Sequence, residues 1–132
     1  MKKEINEDYV SFEVAEMLQE KGFDIECFTA YHNGGLIDYT LFGFTDGVLL
    51  PAPTLQMAKK WLREVHHLYI QVMLDSWACG GHMGYYIVIQ NTTSDFEIML
   101  QDFVDDVFYG TYEQACEAAI KYCLEELIKN NV

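Results

Sequence analysis

Cys79 and His82 flank Gly80 and Gly81, a spacing at which a thiolate and an imidazole could share a zinc ion. The adjacent His66 and His67 are the nearest further ligands. A structural zinc site needs four donors, usually as two closely spaced pairs. Adjacent residues at the end of a helix point about 100° apart, so only one of the two histidines could readily join. The same residues allow a nucleophile pair, with Cys79 or Cys27 activated by His82, His66 or His32. No spacing places those side chains within hydrogen-bond reach. The surrounding acids also oppose a thiolate.

Cys116 and Cys123 lie seven apart, two helical turns, and so share a face with Ala119 and Ile120. Two thiols with no further ligands read as small core residues. Asp102, Asp105 and Asp106 lack the spacing and the distant Glu of a calcium loop. They read as an acidic edge that discourages strand-to-strand aggregation. Gly34-Gly35 and Gly80-Gly81 follow no phosphate-loop pattern, and neither opens a helix. Tyr86 reads as sheet packing, whereas Trp77 suits either packing or an interface. No catalytic, cofactor-binding or metal-binding residue is therefore assigned from the sequence.

The residues that would position such groups belong to a chain of 132 residues, the size of one domain. It is 51% hydrophobic, which argues against disorder. It carries 21 Asp and Glu against 8 Lys and Arg, a net charge of -13. Between Arg63 and Lys121 there are nine acids and no Lys or Arg. Nucleic-acid backbones and anionic membrane surfaces are thus disfavoured as partners. Lys59, Lys60 and Arg63 are too few to track phosphates. No apolar run approaches the length of a membrane span. The opening MKKEINEDYV places acids where a secretory signal needs apolar residues. The expected compartment is the cytosol, with reduced cysteines.

Three segments share one pattern: SFEVA from Ser11, TLQMA from Thr54 and TYEQA from Thr111. Each opens on a hydroxyl that can accept from an orphan N–H of the first turn. Gln114 adds the N3 residue of a capping box. Helix one is expected over about 11–21, with Val14, Met17 and Leu18 inward, Gly22 as the left-handed stop and Phe23 folding back on Leu18. Helix two is expected over about 54–66, with Leu55, Ala58, Leu62 and Val65 buried and Trp61 widening the stripe. Helix three is expected over about 111–129, inward through Ala115, Ala119, Tyr122 or Cys123, and Leu127.

Strand signals fill the gaps. Residues 26–32 and 36–42 flank His32-Asn33-Gly34-Gly35, whose Asn-Gly suits a two-residue hairpin turn. Residues 68–74, 84–90 and 96–101 read as strands, the first and third by strict alternation, and 103–109 as a strand or a loop. The order αββ-αβββ-α predicts a single α+β domain over residues 1–132. Its sheet should be mainly antiparallel, with the helices packed on one face.

Tyr9–Ile25, Pro51–Val72 and Thr111–Ile128 resemble a group of small proteins encoded by gut anaerobes and by their phages and mobile elements. The resemblance is loose over the first 72 residues and close in the last helix, and it omits Leu74–Tyr109. Members of that group carry no assigned activity, so no site residue transfers. The resemblance implies a cytosolic accessory protein linked to a phage or prophage. The expected function is a small non-enzymatic module that binds a protein partner or itself. Two alternatives stand beside it. One is an acidic mimic of DNA that blocks a host nucleic-acid-binding protein; the other is a small Cys/His hydrolase or zinc protein.

Overall fold

A computed structural model describes residues 5–38, 49–75, 84–94, 97–100 and 109–128; for Asp75 and for 98–100 it describes the backbone only. Helix α1 spans Phe12–Glu20, α2 spans Leu55–His66 and α3 spans Tyr112–Tyr122. The three share one start. Ser11, Thr54 and Thr111 are N-caps in extended conformation, and their hydroxyls accept from the N–H of Val14, Met57 and Gln114 at 3.2, 3.1 and 3.0 Å. Each bond satisfies one donor that the first turn leaves without an intrahelical partner.

Helix α1 stops as its sequence dictates. Gly22 takes a φ of 93°, its N–H donates to Gln19 O, and the Phe23 N–H donates to Leu18 O at 2.9 Å. Those two bonds make a Schellman stop, and Phe23 is buried beside Leu18. Helix α3 ends differently from the expected plain helix. Residues Cys123–Leu127 widen into a π-turn, closed by the Ile128 N–H on Cys123 O at 2.9 Å. Lys21 Nζ then donates to Ile128 O at 3.0 Å, which ties the ends of the first and last helices together.

Among the described residues the strands form two antiparallel sheets instead of one. In the first, β1 (Thr29–His32) lies between β2 (Gly35–Asp38) and β3 (Leu50–Pro51). Asn33 and Gly34 carry φ of 52° and 83°, the geometry of the predicted Asn-Gly turn. The two-residue β3 escapes sequence reading because Pro51 breaks a strand pattern; proline is tolerated here because β3 is an edge. In the second sheet, β5 (Gly84–Asn91) lies between β4 (Leu68–Asp75) and β6 (Glu97–Leu100). The first and third of the three predicted strands lie within one residue of these bounds, as far as the described residues reach, and β5 runs one residue further. The predicted strand or loop at 103–109 lies outside the described residues except Tyr109, which bridges Tyr85. The second half of the predicted 36–42 strand also lies outside them.

The register of β4 with β5 sets Ile70 opposite Ile89 and Val72 opposite Ile87. These residues, with Leu68, turn to the core, while Tyr69 and Met73 on the opposite face are exposed. Helices α2 and α3 pack on this sheet, and α1 packs on β3 and α3. The fold is α+β with antiparallel sheets, as expected. Val65 departs from expectation: it is 52% exposed. Leu55, Ala58, Trp61 and Leu62 already complete the buried stripe, and Val65 falls in the last turn beyond them.

Candidate functional site

The sequence-predicted chemistry does not assemble among the described residues. Cys79, His82, Trp77, Asp102, Asp105 and Asp106 lie outside them. Among those described, no three His, Cys, Asp or Glu side chains come close enough to hold a metal ion. Cys27, Cys116 and Cys123 are buried free thiols. Burial pushes all three above the ordinary thiol range, and Cys123 to about 12. Cys116 and Cys123 share the buried face of the last helix with Ala119 and Ile120, as their spacing predicts. A thiolate is the reactive form, and burial among apolar atoms disfavours it. Alkylation of the native protein at pH 8, mapped by mass spectrometry, should therefore spare these three until denaturant is added. Prompt labelling of Cys116 or Cys123 in the folded protein would contradict their placement.

The two histidines diverge. His66 ends α2, and its ring meets Trp61 edge-on with centroids 4.7 Å apart. His67 is the C-cap, left-handed at φ 60°, and exposed. Nε2 of His66 is buried and has no hydrogen-bond partner among the described residues. Burial, and secondarily the neighbouring His67, lower the His66 pKa below 6.5. The unfolded chain therefore binds a proton more readily than the folded one. Stability linked to His66 is intact above pH 6.5 and is lost as pH falls through the lower folded value. His66→Phe keeps the ring against Trp61 and removes the unpaired nitrogen, whose burial costs about 1–3 kcal/mol. Urea unfolding between pH 5 and 7.5 should show a shallower acid slope in this variant, with stability at pH 7 held or raised. Identical slopes in both proteins would remove His66 from the pH dependence.

A concave feature lies elsewhere. An open groove of about 690 Å³ runs between the N-terminal segment, the β1–β2 hairpin and the start of α3. Glu7, Asp8, Glu113 and Glu117 line it, with tyrosines at 9, 31 and 109. Among the described residues its one lysine, Lys121, is paired with Glu13 at 3.0 Å. The N-terminal segment is held in place by main-chain bonds: Val10 N–H to Pro53 O at 3.1 Å and Leu55 N–H to Asp8 O at 2.9 Å. Tyr31 Oη donates to Val10 O at 2.7 Å. Burial first, and then the Glu117 charge, raise the Tyr31 pKa. Glu117 Oε1 accepts from the Ser11 N–H at 2.9 Å.

No known protein family, curated protein or solved structure matches the chain. The reading of the groove therefore rests on its own chemistry. Sequence reasoning assigned no role to Glu117, Tyr9 or Tyr31. One signal was available. The N3 residue of α1 is Val14, so no capping-box carboxylate of its own helix can reach the Ser11 N–H. That donor must find an acceptor elsewhere in the fold. A second, smaller groove of about 250 Å³ lies beside β1 and the start of α2, with Phe28 and Met57 in its lining. Among the described residues no helix is long and apolar enough to cross a membrane.

Proposed function

We propose that the chain is a small, non-enzymatic, cytosolic protein-interaction module that binds a positively charged surface of a partner protein in the larger groove. One observation carries this reading. Among the described residues, four carboxylates and three tyrosines line an open groove whose single lysine is already ion-paired. Tyrosine offers large contact area at small entropy cost, and the carboxylates favour a cationic partner and speed its approach. The resemblance to small phage and gut-anaerobe proteins adds a setting, an accessory protein linked to a phage or prophage. The test is capture of partners from host lysate at low and high salt, with wild type and a Glu113→Gln, Glu117→Gln double variant. Expected is a basic partner held at low salt, released at about 1 M, where screening acts within ~3 Å, and weakened by the double variant. Capture indifferent to salt and to both substitutions would reject the reading. The nine acids of the base-free stretch support a second reading, a mimic of DNA charge. A captured partner that duplex DNA displaces would favour that reading.

A further inference from the structure

The two grooves meet at one residue. Tyr9 lines both of them and is 38% exposed. Its main chain bridges Thr54, and bonds at Val10 and Asp8 fix the residues on either side. The ring therefore stands on a pinned segment, so less ordering entropy is lost when a ligand packs on it. The grooves differ in character. The larger holds the four carboxylates already described. The smaller exposes apolar side chains, Phe28 at 63% and Met57 at 41%, and among the described residues its lining includes Glu26 and Asp38 but no Lys or Arg. Large apolar side chains grouped around a concavity mark contact sites more often than singly scattered ones do.

We infer that the two grooves form one two-part docking surface hinged on Tyr9, which takes an extended protein segment with Lys or Arg in the larger groove and a bulky apolar side chain in the smaller. This rests on the proposed function and adds the partner's chemistry to it. Charge complementarity selects the occupant. A second copy of this chain brings a net charge of -13 towards an acidic groove, which disfavours self-docking. A nucleic-acid strand is excluded by the same repulsion. The apolar half accounts for what a cation alone would leave uncovered.

Selection of random peptides of about 12 residues, ~40 Å when extended, on the full chain tests this. Enriched sequences should place Lys or Arg at a fixed offset from an aromatic or aliphatic residue. Phe28→Ser lies at an exposed position, so its fold should survive. It should weaken selected peptides by about tenfold, the effect of losing one interface anchor. Tyr9→Ala should weaken both halves. Enriched peptides with cations but no fixed apolar position, and indifferent to Phe28→Ser and Tyr9→Ala, would overturn the two-part surface. The cationic-partner reading would then stand if Glu113→Gln still weakened them. No enrichment at all would reject both.

Discussion

Shortening Ile120 to alanine is expected to cost about 2–5 kcal/mol of folding stability. Ile120 is fully buried in α3, the helix that packs on both other helices and on β4 and β5. The elements packed on α3 are separate, and they cannot all collapse into the space a lost side chain leaves. The removed atoms forfeit their transfer free energy, and the residual cavity adds to it. Domains of this kind are stable by about 5–15 kcal/mol, so the loss is a large share of the total. Ile120→Val, which removes one methylene, should cost about 0.5–1.5 kcal/mol. Urea unfolding checks both: the midpoint should fall in that order while the slope stays constant. An alanine variant within about 1 kcal/mol of wild type would place α3 outside the core.

Replacing Glu117 by alanine should cost about 1.5–3 kcal/mol, the range for a hydrogen bond to a charged group. The Ser11 N–H that Glu117 accepts is half-buried and has no local acceptor. Glu117→Gln keeps an oxygen at that position and should lose under about 1 kcal/mol. The glutamine variant should also lower the Tyr31 pKa, because the Glu117 charge is one of two causes of its elevation, after burial. Ultraviolet titration of the tyrosines reads that shift, and a role confined to packing would not move it. Equal destabilisation by alanine and glutamine would show that the hydrogen bond is not what Glu117 contributes.

Much of the fold is legible locally. The three N-caps, the Gly22 stop and the Asn33-Gly34 turn each depend on a few adjacent residues, and each stands where the sequence puts it. Strand β4 turns Leu68, Ile70 and Val72 inward as its alternation predicts, and β6 stands within its predicted bounds. The failures are non-local or depend on length. Val65 continues the helical period, but α2 has already covered its share of the core by Leu62. Strand β3 is two residues long, too short for any period to register. The split into two sheets depends on which strands meet, and hairpin-length connections do not settle that. The groove was illegible for the same reason. Its carboxylates come from positions 7, 8, 113 and 117, which no motif links. The cysteine and histidine motifs drew attention by type, yet the described ones among them are buried or turned apart.

The bond from the Ser11 N–H to Glu117 joins residues 106 positions apart, and Lys21 reaches Ile128 across 107. On a ribosome that adds about 5–20 residues per second, the first helix waits roughly 5–20 s for its partner to emerge. Throughout that time Val14, Ala15 and Leu18 lack the last helix that later packs on them. Folding of the first helix is thereby tied to the synthesis of residues 117–128, and a nascent chain halted before residue 117 should be open to proteolysis in its first helix. Contacts of such long range also slow folding relative to bundles built from neighbours. The first helix of this protein is completed only by residues more than a hundred positions further along the chain.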